Sequence, residues 1–391
     1  MYFKVHPVLR KVTAMKKLIS LILCLTTLFS LSSCMGNIIE KREETTTVSI
    51  ETEAATEEIT EEVTEVIAPP EPVVPEFTNP LTGLETTEEL SKARPVAVMI
   101  NNLKASMSQE GISYADVIYE CIVEGAQTRL LALSLDYTSV PVFGSVRSSR
   151  EYFLDFAANH DAIYVHAGGS DEAYRQIKAR KVANLDGVNM YLPDTFYRDE
   201  ERLKIMAYEH TLMTSGEKIK SGIDYKGYRT ELKESFTSPF IFTEFDEVRV
   251  PEGDEARYFS VKYSNAYNPY YIYNEENRVY ERYQFGEAHI DNTTDKQLAF
   301  ENIIVIFCPT YNTNDELGHY NVNCVGEGEG YYISRGTAQK IKWKKPAADT
   351  PVSFFTESGG ELVINRGRTF IQVCTNAMKE TTVISAETQI G

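Results

Sequence analysis

Basic residues are scarce in this 391-residue chain: 39 Lys and Arg stand against 57 Asp and Glu, a net charge of −18. That balance excludes nucleic acid as the natural partner, because a phosphate backbone demands basic surface. Cysteine is sparse too, six in all, and no two form a C-x-x-C pair, which removes the common zinc and dithiol motifs. No apolar stretch is long enough for a comfortable membrane-spanning helix. There is no Walker pattern, no G-x-G-x-x-G and no G-x-S-x-G, so the short signatures of nucleotide binding and of the serine-hydrolase elbow are missing. What is present is 42% hydrophobic residues, enough for packed cores in a chain with room for two ordinary domains.

The few positive charges are unevenly placed. Lys4, Arg10, Lys11, Lys16 and Lys17 fall in residues 1–33, so removing that stretch takes the chain to −23. Met15-Lys16-Lys17 leads into LISLILCLTTLFSL, the charged n-region and short apolar h-region of a secretory signal. Residues 15–33 are therefore expected to be a signal peptide, and residues 1–14 a spurious upstream extension before a true start at Met15. The run ends in Leu31-Ser32-Ser33-Cys34, which resembles a bacterial lipobox. Cys34 is the expected lipidation site and mature N-terminus, with the membrane as partner through its acyl chains. Residues 35–76 hold twelve Glu against Lys41 and Arg42 and end in a Pro-rich cluster. With too few apolar residues for a core, 34–77 reads as an acidic disordered linker.

Beyond the linker, Pro95–Ile100, Leu130–Leu135 and Ala162–Val165 are short apolar runs that read as buried strands. Ala115–Glu124 also favours a strand through its β-branched content, although Asp116, Glu120 and Glu124 would share a face on a helix or a strand alike. Ser148-Ser149-Arg150-Glu151 is a capping box that would start a helix with Phe153, Phe156 and Ala157 on its apolar side, and Ser170 would cap another over Asp171–Lys181. From about residue 241, short aromatic and β-branched runs alternate with Gly, Asn and Asp turns. The expected architecture is an α/β N-terminal domain with a mixed sheet, residues 78–240, followed by a mostly antiparallel β (α+β) C-terminal domain, residues 241–391. Cys308 and Cys324 could pair outside the cell, and Cys121 and Cys374 sit in apolar runs as core residues.

The turns carry the polar residues that suggest a site. Arg129, Arg147 and Arg150 flank the predicted strand and helix starts, where guanidinium groups and free backbone N–H groups suit phosphate or carboxylate. His166-Ala167-Gly168-Gly169-Ser170 follows the next strand, and glycines there permit close backbone approach. With Arg198, these form the candidate ligand-binding set: Arg129, Arg147, Arg150, His166, Gly168, Gly169, Ser170 and Arg198. The bland alternative pairs the arginines with Asp116, Glu120 and Glu124 and leaves His166 hydrogen-bonded beneath a tight turn.

The segments PLTGL, RPVAVMINN, ADVIYE, VEGAQTR, GSVRSSR, HAGGS and TFYR resemble the YerB-like lipoprotein family, whose N-terminal part is the domain of unknown function DUF3048. The stretches YIYNEENRVYERYQFGEAHID, NIIVIF, IKWKK and NRGRTFIQV are similar to that family's C-terminal domain. Ala126 and Ser145 depart from the pattern, which expects glycine and proline there. The resemblance implies a membrane-anchored extracytoplasmic lipoprotein of Gram-positive bacteria and implies no reaction.

Three functional readings follow. The first is an accessory protein binding an anionic envelope polymer or phosphorylated ligand through the Arg/His cluster, with no cofactor. The second is a cell-envelope phosphotransferase or phosphohydrolase, with His166 as base and Asp116, Glu120 or Glu124 as acid or ligand to a divalent metal. The third is a scaffold for a membrane protein partner of unstated identity.

Overall fold

The computed structural model describes residues 74–388. The expected signal peptide, Cys34 and most of the expected linker lie outside the described residues. Five strands come from the first half: β1 (Val96–Asn101), β2 (Val117–Val123), β3 (Gln127–Ser134), β4 (Ile163–His166) and β5 (Asn184–Asp186). Six come from the second: β6 (Asp254–Glu255), β7 (Asn302–Cys308), β8 (Gly326–Ser334), β9 (Thr337–Lys345), β10 (Ser353–Thr356) and β11 (Thr369–Thr375). All eleven form one sheet in the order β6-β9-β8-β7-β11-β2-β3-β1-β4-β5, with β10 paired to β9. The 240/241 division is thus no break in the sheet. β2 runs parallel to β11, from Val117 opposite Thr369 to Cys121 opposite Val373.

The sheet is mixed where the apolar runs are continuous. Every residue of β1, β2 and β7 is buried, as expected of strands covered on both faces. Farther out, β9 exposes Lys342 and Lys344 and buries Ile341 and Trp343, the alternation of a strand with one wet side. Among the other described pairings of the second half antiparallel ones dominate. A smaller sheet of Tyr258–Ser260, Tyr270–Asn274, Val279–Gln284 and short partners packs Tyr271 and Phe300 onto Phe370 of β11 (ring centroids 5.7 and 5.0 Å). The β-branched Val248–Val250 run, the kind of segment that reads as a strand, forms none; Arg249 bonds the Asn365 side chain instead.

Two helices matter below: α1 (Glu151–Ala158) and α2 (Asp171–Arg180). α1 buries Phe153, Phe156 and Ala157 as its spacing predicts, and Phe156 stacks on Tyr119 of β2 at 4.9 Å. Its capping box does not form: Arg150, not Ser148, is the N-cap residue, and no side chain caps the end. Ser148 and Ser149 are drawn into the loop pairing described below. Ser170 does cap α2, accepting from the Ala173 N–H at 3.2 Å.

Candidate functional site

Two loops are laced together and place the starts of α1 and α2 side by side. The Ala167 N–H donates to the Arg147 carbonyl, the Ser149 N–H to the Gly168 carbonyl and the Ser170 N–H to the Ser149 carbonyl (3.0, 2.9 and 3.3 Å). Gly168 takes φ +75°, a conformation natural to glycine. His166 supports this turn from below. It is fully buried, with Nδ1 2.8 Å from the Gly168 carbonyl and Nε2 3.1 Å from Asn184 Oδ1. The ring is therefore a buttress rather than an accessible base. The Gly168 N–H in turn donates to Asp186 Oδ1 at 2.8 Å.

The arginines converge, but not freely. Glu124, at the β2–β3 turn, accepts from Arg129 through Oε1 and from Arg150 through Oε2, the latter at 2.7 Å. Arg129 also donates to the Ser148 carbonyl (2.9 Å) and Arg150 to the Ser149 carbonyl (2.6 Å). One carboxylate thus serves two guanidiniums, leaving one positive charge in excess. Burial, then the neighbouring Arg150, push the Arg129 pKa down to about 10. Burial works to raise the pKa of Glu124, yet Arg129 and Arg150 hold it below its ordinary value. Arg147 reaches out to Glu209 at 3.1 Å. Arg198 stands on the same Tyr208–His210 turn, stacked on the Tyr208 ring at 3.8 Å and donating to its carbonyl at 2.6 Å.

The proposed carboxylates do not meet one another. They fall at intervals of four residues along one strand, a spacing of roughly 13 Å each. Asp116 accepts from the Leu135 N–H and the Asn79 side chain (2.8 and 3.1 Å), and burial raises its pKa. Glu120 is fully buried and accepts from Arg282 at 2.8 Å, Thr128 at 2.7 Å and Asn102 at 3.1 Å. Among the described residues, no group of three or more His, Cys, Asp or Glu is arranged to hold a metal ion.

A cavity of about 910 Å³ opens at the two helix starts. Ser148, Arg150, Gly169 and Ser170 line one side with Glu151, Asp171, Glu172 and Arg175. The other wall comes from far down the chain, from the tip of a hairpin formed by Thr310–Asn312 and Tyr320–Val322. His319 Nδ1 lies 2.6 Å from Asp315 Oδ2 there. The His319 backbone N–H and ring hold the Asp315 pKa down to about 2. Burial, and the nearby Glu172, push Glu151 up. Sequence reasoning missed this wall: Asn314-Asp315-Glu316-Leu317-Gly318 reads as an ordinary polar turn, with no sign of what it faces. Arg129, Arg147, His166 and Arg198 do not line this cavity; Arg150, Gly169 and Ser170 do.

The N-terminal domain of the family described as protein of unknown function DUF3048 matches residues 81–229, and its C-terminal domain matches residues 259–371. The chain belongs to the DUF3048 family. It is 30% identical over 268 residues to YerB of Bacillus subtilis (strain 168), a presumed lipoprotein, covering 68% of this chain and 77% of that one. The crystal structure of YerB from Bacillus subtilis superposes with a TM-score of 0.69 at 26% identity, over 79% of this chain and all of the other. In this DUF3048 chain Ala126 adopts φ +56° and Ser145 is buried.

Proposed function

We propose that this DUF3048 protein is a lipid-anchored extracytoplasmic binding protein whose ligand seats an anionic group at the start of α1. The leader, the lipobox-like Leu31-Ser32-Ser33-Cys34 and the kinship with YerB support the anchoring. One observation carries the binding reading: two guanidiniums share one carboxylate beside a helix start that no side chain caps, at the edge of a large cavity. A first turn that no side chain caps and surplus positive charge favour an anion. Asp171 and Glu172 on the α2 side and Asp315 and Glu316 on the hairpin wall suit a cationic portion of the same ligand. The chemistry is that of an envelope component bearing both charges, such as a peptide-substituted glycan fragment. No comparable feature supports the phosphotransfer or scaffold readings.

The test is calorimetric titration of the wild type and Arg150→Gln with sulfate, phosphate and soluble peptidoglycan fragments. Arg150→Gln is expected to weaken binding roughly tenfold, as loss of one charged hydrogen bond predicts. Wild-type protein that takes up none of these probes at millimolar concentration would sink the reading.

A further inference from the structure

The hairpin that walls the cavity hangs from two cysteines. Cys308 is the last residue of β7, and Cys324 follows the hairpin's return strand. Their Sγ atoms lie 3.5 Å apart, and both residues are buried, at 0% and 3% exposure. The intervening strands pair only with each other, from Thr310 opposite Val322 to Asn312 opposite Tyr320. The Asn323 N–H donating to the Pro309 carbonyl at 2.9 Å closes the base. The other two cysteines of the described residues are placed differently: Cys374 lies against the Tyr263 hydroxyl at 3.8 Å, and Cys121 is buried within β2.

We propose that Cys308 and Cys324 are joined as a disulfide in the exported protein, fixing the base of the hairpin whose tip carries Asp315 and His319. The sulfurs need to approach by roughly 1.5 Å to reach bonding distance. The oxidant is a disulfide, carried by an exchange protein or a small thiol at the extracytoplasmic face. One cysteine thiolate attacks a donor sulfur and expels a donor thiolate. The second cysteine then attacks the mixed disulfide and expels the other. The two cysteines lose two protons and two electrons, and the donor becomes two thiols. The hydrogen bond to Cys308, together with burial, pushes the Cys324 thiol well above its ordinary pKa. Burial of both residues shields the finished bond from attack by an outside thiolate. The proposal rests on the export part of the reading above and is independent of ligand binding.

The test uses full-length protein recovered from the membrane fraction of an exporting host. It is denatured without reductant, alkylated and digested. A peptide pair linked through Cys308 and Cys324 is expected, about 2 Da below the sum of the two thiol peptides, with Cys121 and Cys374 alkylated. Four alkylated cysteines, or a different pairing, overturn the proposal. Export itself is read separately, from the intact mass with or without residues 1–33. The fixing role is checked by limited proteolysis: reduction should speed cleavage within 309–323 in the wild type and leave Cys308→Ser/Cys324→Ser unchanged. Equal cleavage before and after reduction of a linked wild type overturns that role.

Discussion

Two arginine–carboxylate centres lie four residues apart, one within β2 and one at the turn that ends it, and they are built to different ends. At Glu120 the pairing is one to one. Glu120 and Arg282 are both fully buried, and the remaining donors and acceptors are filled by Asn102, Thr128, Gln372, Tyr271 and His289. The centre ties the small sheet to the seam between β2 and β11, and no charge is left over. At Glu124 two guanidiniums compete for one carboxylate, and Arg150 borders the cavity. A satisfied buried network specifies a fold; an unbalanced one beside open space is able to serve a ligand.

The largest effect should come from breaking the closed centre. Glu120→Gln leaves Arg282 buried without a counter-charge, a loss of about 3–5 kcal/mol in urea unfolding. The double variant Glu120→Leu/Arg282→Met should recover most of it. A single variant within 1 kcal/mol of wild type would show that Arg282 finds water or another partner.

Glu124→Gln should cost less, about 2 kcal/mol, because the site is partly open. Here the two centres ought to separate. Added sulfate should restore part of the lost stability in Glu124→Gln, by occupying the place of the missing charge, and should do nothing for Glu120→Gln. Equal responses of the two variants to sulfate would erase the distinction.

Acid separates them as well. Burial and the adjacent Arg282 hold the His289 pKa well below its ordinary value, so the unfolded chain binds that proton more readily. The resulting stability is present above the unfolded histidine pKa of about 6.5 and falls below it, by up to about 1.4 kcal/mol per pH unit. His160, buried and pushed down to about 3, adds a limb of the same sign. Glu124 is also depressed, but its contribution fades only as pH drops below the unfolded glutamate value of about 4.3. Unfolding midpoints measured from pH 8 to 2 should therefore fall in two stages, with His289→Gln shrinking the first and Glu124→Gln flattening the second.

Much of the first half was legible because its strands are buried on both faces and read as unbroken apolar runs. The Pro95–Ile100 run lies within one residue of β1 at each end, and β3 covers Leu130–Ser134 but begins three residues earlier than the apolar run. The mixed sheet was legible too, as was the Ser170 cap. The seam was not. β2 meets β11 about 250 residues away, and nothing local in VIYECIV names its neighbour. Arg282 carries no local signal of its role, yet it shares the buried side of its strand with Tyr280 and Gln284 and pairs with Glu120. His166 before two glycines looked like a ligand loop, but Asn184, on the neighbouring strand, holds its ring inward. Single-residue signals reported which groups were unusual; the partners that decide their use came from strand order.

The smallest effect tests the turn that holds the open centre. Gly125 and Ala126 link Glu124 to the strand carrying Arg129, both with left-handed backbone, φ +66° and +56°. Glycine accepts that conformation freely, whereas alanine pays roughly 1 kcal/mol for it. Ala126→Gly gives back part of this relief through the greater freedom of the unfolded chain, so a net gain of about 0.5 kcal/mol is expected. The Glu124–Arg129 pair should keep its geometry, so sulfate binding should be unchanged while stability rises. If instead Ala126→Gly weakens sulfate binding at unchanged stability, the strained alanine is holding the carboxylate in place and belongs to the site rather than to the turn.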